Sequence, residues 1–243
     1  MYQVASSTRS RILKCCLNRM TAIEALSALN AGALAKTECF FGGGTRIAMV
    51  LDEYRESANI DFLCASRAGY RALRASVTEQ SLGMIAKRGV KLAREVIADR
   101  YGIRTFLDVD GEKLKFEIVL EARIELAGGT ERGLPVSSLN KTSCFAEKFL
   151  ANADRWLDAS VLGRDIIDLA FMAAHWGDEP LRSGLHIATE AYGKVVIGAG
   201  RRAATKMIEQ AAWRKRCVTG LDVSDTRMLL AGLKTVVAAL MTK

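Results

Sequence analysis

Histidine is almost missing from this chain of 243 residues: His175 and His186 are the only two. They fit no catalytic triad and no metal-ligand spacing. The six cysteines, Cys15, Cys16, Cys39, Cys64, Cys144 and Cys217, form no Cys-x-x-Cys pair, which argues against structural zinc. Scattered in mostly apolar contexts, they fit buried thiols in a reduced, cytoplasmic protein. No apolar run reaches about 18 residues, so no membrane-spanning helix is indicated. The amino-terminal MYQVASSTRSRILKCC has basic residues but no apolar signal core behind them, and reads as mature protein. No serine or cysteine stands in a nucleophile-elbow context. Internal repeats, low-complexity segments and long Lys/Arg tracts are all lacking.

What is present is a large apolar fraction and a basic surplus. Half of the residues are hydrophobic, enough for a real core, and the net charge is +8. That surplus suits a polyanionic partner such as RNA, DNA or a nucleotide. It suits equally a basic protein whose charge only aids solubility.

The pattern divides the chain. Helical apolar spacing runs through residues 8–35, from Ile12, Leu13, Cys16 and Leu17 to Leu29, with Thr21 and Glu24 as a capping box. Residues 38–41 predict a short strand that ends in Gly42-Gly43-Gly44. Thr45 is a potential cap for a helix over Arg46 to Leu51. Asn59 to Cys64 predicts the next strand, and Gly69 to Val77 a helix. Three strand candidates follow, REVIADRYG, IRTFLDVDG and EKLKFEIVLEARIEL, with Asp110-Gly111 as a hairpin turn. The loop 127–135 separates this mixed half from helices expected over 142–159, 163–176, 188–212 and 222–241, the last capped by Ser224. The division expected is 1–134 and 135–243, a mixed α/β core followed by a helical bundle.

Several residue groups are chemically suggestive. Gly42-Gly43-Gly44-Thr45 follows a strand and precedes a helix, so its backbone N–H groups suit a phosphate. The same turn also serves simple packing. Asn59 and Asp61 alternate onto one side of their strand. Two carboxylates there would chelate Mg²⁺, but one of the pair is a neutral amide. Lys113, Lys115, Glu117 and Val119 share the strand face opposite Leu114, Phe116, Ile118 and Leu120. Asp165 and Asp168 lie one helical turn apart. Surface ion pairs with Glu147, Lys148 and Arg164 would account for them. Gly198 to Thr205 lacks the Gly-Lys-Ser/Thr ending of a phosphate loop. Arg201, Arg202, Lys206, Arg214, Lys215 and Arg216 form a basic helical face, open to nucleic acid or to solvent.

FFGGGTRIAMVL followed by SANIDFL resembles the nucleotidyltransferase superfamily with a polymerase-β-like core. More narrowly, the chain resembles the AbiEii/AbiGii toxin family. The resemblance covers Gly43, Gly44, Thr45, Ser57 and Asp61, and departs at Asn59. It extends to Glu117 in KFEIV, to AEKFLA with Lys148, and to GRDIIDLA with Asp165 and Asp168. It implies transfer of a nucleoside monophosphate from an NTP to an RNA, tRNA included, or to a protein hydroxyl. It further implies a toxin–antitoxin or phage-defence setting with a cognate antitoxin. By the same resemblance Gly43, Gly44, Thr45, Ser57 and Arg46 would bind nucleotide. Asp61, Glu117 and the position of Asn59 would hold Mg²⁺. Lys148 would touch the triphosphate, and Asp165 or Asp168 would orient the network. With Asn59 in place of a metal carboxylate, a catalytically impaired nucleotide- or RNA-binding homologue is the alternative.

Overall fold

The computed structural model describes residues 17–241, which fall into two compact units. Cys15, Cys16, Ile12 and Leu13 lie outside the described residues. Unit 1 takes in the chain up to Met49 together with Ser57–Leu139, and unit 2 consists of Val50–Glu56 with Asn140–Lys243. The expected mixed α/β class with helices at the carboxyl end is the one observed.

Unit 1 is built on a mixed sheet. Its elements are α1 (17–27), α2 (Ala31–Lys36), β1 (Cys39–Phe41), α3 (Gly43–Val50), β2 (Ile60–Cys64), α4 (Arg67–Ser76), β3 (Lys91–Leu92), β4 (Ile97–Ala98), β5 (Gly102–Val109), β6 (Glu112–Leu120), β7 (Gly128–Gly129) and β8 (Ser138–Leu139). The strand order is β3-β5-β6-β2-β1-β8-β7, with β4 also on β5. β2 runs parallel to β6 and β1 parallel to β8, while the other pairs are antiparallel.

Strict alternation gives the sheet two different faces. Ile60, Phe62, Ile103, Leu107, Phe116 and Ile118 point to the core, where Leu26 and Leu73 of the helices, and Leu29 just after α1, meet them. Asp61, Leu63, Arg104, Lys115 and Glu117 stand half-buried on the other face. Asp110 and Gly111, at φ +50° and +89°, close the β5–β6 hairpin as a two-residue turn that needs both residues left-handed.

Four local expectations are corrected. Thr21 is inside α1 rather than at its cap; its hydroxyl donates to the Leu17 carbonyl at 2.9 Å, the back-bond open to a mid-helix threonine. α3 begins at Gly43, three residues before the predicted start, and Thr45 is buried within it. Of REVIADRYG only Ile97–Ala98 is a strand of its own, and Gly102 already opens β5. β6 stops at Leu120 because the Glu121 carboxylate accepts the Arg123 backbone N–H at 2.6 Å and turns the chain.

Unit 2 is helical: α5 (Lys141–Arg155), α6 (Arg164–Trp176), α7 (Asp178–Tyr192), α8 (Val195–Glu209), α9 (Ala211–Gly220) and α10 (Thr226–Met241). α10 packs hard on α6: a Cβ at Gly232 would lie 2.0 Å from the Ala170 carbonyl oxygen. The helix expected over 188–212 is in fact the end of α7, all of α8 and the start of α9. Gly193, at φ +69°, ends the first of these. The first ten residues of α7 fall between the expected helices, in a stretch that includes Pro180. Pro180 is the third residue of the helix, where no intrahelical N–H is required. Asp225, not Ser224, caps α10, accepting from the N–H groups of Arg227 and Met228 at 2.8 and 2.9 Å. No described helix is long and apolar enough to cross a membrane. Cys39, Cys64, Cys144 and Cys217 are all buried free thiols.

Candidate functional site

In unit 1 the site grows out of the β1–α3–β2 connection. β1 ends at Phe41, and the Gly42 N–H donates to the Asp61 carbonyl at 2.9 Å. Gly43 then turns at φ +67° and opens α3. A Cβ at Gly43 would sit 2.7 Å from Asp61 Oδ2, so only glycine lets the turn and the carboxylate come this close. Gly44 is the next helical residue. The turn therefore offers helix-start N–H groups beside an acid, on the half-exposed face of the sheet.

The register extends this into a row. Asp61 on β2 pairs with Glu117 on β6, and Glu117 pairs in turn with Arg104 on β5. Glu117 accepts Arg104 Nε at 2.7 Å on one oxygen and Lys115 Nζ at 2.6 Å on the other. Arg104 also reaches Asp99 Oδ2 at 3.2 Å. Burial pushes the Glu117 carboxyl up, but the bonds and charges of Lys115 and Arg104 outweigh it and hold the group below the usual carboxylate range. Lys115 is legible from the two-residue period, since it shares a strand face with Glu117. Arg104 is not part of the sequence pattern given above, although counting back equally from the Asp110-Gly111 turn puts it opposite Glu117.

The other residues expected in this unit take different places. Thr45 and Ser57 bond through their hydroxyls at 2.8 Å, which ties α3 to the segment before β2. Arg46 is buried and ion-paired with Glu131, which also accepts Ser138 Oγ at 3.1 Å, so its charge serves the 121–137 loop. Asn59 is exposed and precedes β2 rather than lying in it.

These residues do not fit a chelated Mg²⁺. Among the described residues no group of three or more His, Cys, Asp or Glu could hold a metal ion. Asn59 supplies no charge, and both oxygens of Glu117 are already bonded to cations.

Unit 2 holds the remaining expected residues in one buried network. Lys148 Nζ lies 2.6 Å from Asp168 Oδ2 and 3.2 Å from Asp165 Oδ1. Arg55 grips Asp168 with Nε at 2.6 Å and a terminal nitrogen at 2.9 Å, and the Tyr54 hydroxyl donates to the same carboxylate at 2.6 Å. Arg155 forms a second fork on Asp165, at 2.7 and 2.8 Å. Asp168 is wholly buried; burial raises its pKa, and the charges of Arg55 and Lys148 reverse that and hold it far below the ordinary range. Asp165 is likewise depressed, against its burial, by Lys148 and Arg155. Tyr54 and Arg55 were not foreseen. They stand more than 110 residues from Asp168 in sequence, and no local pattern links them.

The basic face of the carboxyl-terminal helices is partly committed. Arg201 donates to the Leu240 carbonyl and Arg214 to the carbonyls of Met207 and Ile208, so these two satisfy helix ends. Three more interleave with aromatics: Arg202 lies 5.0 Å over Trp156, Lys206 4.1 Å over Trp213, and Arg216 5.8 Å from the same ring. His175 Nδ1 donates to the Phe171 carbonyl, 2.9 Å away, and takes a structural place in α6.

A crystal structure of a candidate nucleotidyltransferase from H. pylori shares the fold. Its TM-score is 0.51 at 14% identity, over 92% of this chain and 92% of that one. No curated protein sequence matches the chain. The family model described as nucleotidyl transferase AbiEii toxin, type IV toxin–antitoxin system, matches residues 24–226. With that match spanning most of its length, and with the glycine turn, Asp61 and Glu117 set side by side in the fold, the chain belongs to the AbiEii nucleotidyltransferase toxin family.

Proposed function

We propose that unit 1 binds a nucleoside triphosphate on the half-exposed face of its sheet, and that the chain transfers the nucleoside monophosphate to a hydroxyl of RNA, tRNA included. The observation that carries this is the row of glycine turn, Asp61 and Glu117 across β1, β2 and β6. The N–H groups at the start of α3 take phosphate oxygens. An acceptor oxygen attacks the α-phosphorus, the bond to the bridging oxygen breaks, and pyrophosphate leaves. Asp61, beside the turn, takes the proton of the acceptor hydroxyl. Arg104 and Lys115 face the same row and offset charge on the transferring group.

RNA is favoured over a protein acceptor by the alternation of Trp156, Trp213, Arg202, Lys206 and Arg216 in unit 2. Aromatic rings and cations in alternation suit bases and phosphates. As a toxin of this family the chain is countered by a cognate antitoxin, and phage defence is the setting proposed for the pair.

Incubation with each of the four NTPs, labelled on the α-phosphate, and with tRNA tests the reading, with and without Mg²⁺. Label on the RNA and release of pyrophosphate are expected. No label with any NTP, from the chain or its Asn59→Asp variant, would sink the transferase reading. A second reading, a nucleotide-binding homologue with impaired transfer, is favoured by the neutral Asn59. It predicts NTP binding without pyrophosphate release, and strong release once Asn59→Asp is made.

A further inference from the structure

The mismatch with Mg²⁺ carries an inference of its own, which rests on the nucleotide reading above. A face of three carboxylates repels a triphosphate, and a divalent cation is what normally resolves that repulsion. Here the charges are arranged otherwise. Glu117 is matched by both Arg104 and Lys115, on the same sheet face as Asp61, and Asp99 closes the outer end of Arg104. Asn59 comes just before Ile60, whose register partner on β6 is Phe116, the residue after Lys115. Asn59 leaves the position where a further metal carboxylate would stand neutral, and the nearby Lys115 ammonium is held on Glu117 of the same face.

We propose that Arg104 and Lys115 replace the divalent cation in neutralising a bound triphosphate, so that nucleotide binding by this chain does not require metal. Neighbouring strands are about 4.8 Å apart, so Arg104 stands roughly 10 Å from Asp61 across the row. That distance suits an extended polyphosphate reaching from the glycine turn. Glu117 holds both cations in place while the site is empty and yields them to phosphate oxygens when it fills. Guanidinium and ammonium donors make charge-assisted bonds to phosphate as strong as those to carboxylate, so the exchange is feasible. Arg104 and Lys115 have side chains 35% and 41% exposed, so a ligand can reach them and the fold does not depend on them.

The sign of one substitution separates this from a metal site. Calorimetric titration with each NTP, in EDTA and in Mg²⁺, is expected to give the same affinity within about twofold, less than 0.5 kcal/mol. Lys115→Ala and Arg104→Ala are expected to weaken binding about tenfold each, the effect of losing one charge-assisted contact. Glu117→Gln removes the competitor for both cations and is expected to tighten binding. Were Glu117 a metal ligand, the same change would weaken it. Electron paramagnetic resonance with Mn²⁺ alone should show no bound ion in the unaltered chain, and a bound ion in the Asn59→Asp, Lys115→Ala double variant. Binding that survives only in Mg²⁺, weaker binding by Glu117→Gln, or Mn²⁺ held by the unaltered chain would each overturn the inference while leaving nucleotide binding intact. No NTP bound in either condition would overturn both.

Discussion

Two clusters of carboxylates and cations make the instructive comparison in this molecule. In unit 2, Asp165 and Asp168 are sealed from water, and each is gripped by an arginine fork and by Lys148. In unit 1, Asp61 and Glu117 share a half-exposed sheet face with Arg104 and Lys115. The residue types are the same and the physics differs. A buried pair cannot lose one partner without stranding a charge in a medium that solvates it poorly. A half-exposed pair can exchange its partner for a ligand, because water and ligand both reach it. The first cluster therefore rigidifies its unit, and the second is suited to binding.

The largest test of that contrast is Asp168→Ala. It leaves Arg55 without its carboxylate and Lys148 with Asp165 alone, at an expected cost of about 3–5 kcal/mol to unit 2. Trp156, Trp176 and Trp213 all lie in unit 2, so urea unfolding followed by tryptophan fluorescence reports on it directly. An unchanged midpoint would break the comparison.

Acid should act through the same network. Asp165 and Asp168 have folded pKa values below the unfolded ones. Their contribution is complete above the ordinary carboxylate range and is lost as pH falls through the depressed folded values. Tryptophan-monitored acid unfolding should be steep in the unaltered chain and flatter in Asp168→Asn.

Gly43→Ala comes next. It forces a side chain into the left-handed region and onto Asp61, a strain of about 1–3 kcal/mol, and it should abolish NTP binding. Retained binding by calorimetry would show that the turn serves packing alone. Lys115→Ala should change unit 1 stability by no more than about 1 kcal/mol, since its pair with Glu117 is half-exposed. Hydrogen exchange of β5 and β6 measures it, and a larger loss would erase the distinction between the clusters. The smallest effect is expected for Arg182→Ala, whose i,i+4 partner Asp178 is exposed, at about 0.5 kcal/mol or less in thermal unfolding.

Much of the fold was legible where the signal is local. The Asp110-Gly111 hairpin, the alternation of β6 and the apolar faces of α5, α6 and α10 each depend on neighbours in sequence. Errors gathered where tertiary partners decide. Pro180 hid the start of α7, and α3 starts early because Gly43 turns against Asp61. Among the site residues, the sequence placed the glycine turn, Asp61 and Glu117 on adjoining elements. It did not indicate that Arg46 turns inward to Glu131, or that Arg104 and Lys115 occupy both oxygens of Glu117.

By itself the sequence determined the family, the alternation of mixed sheet and helices, and which residue types could act. Short-range periodicity, turn residues and an ordered motif set are all written along the chain. Only the tertiary structure decided which charges are spent on one another. Whether a carboxylate is a structural anchor or an exchangeable partner of half-exposed cations depends on what surrounds it in space. Asp168 meets Arg55 across 113 residues, and Glu117 meets Arg104 across a strand pair. Burial then sets what each pairing costs to break.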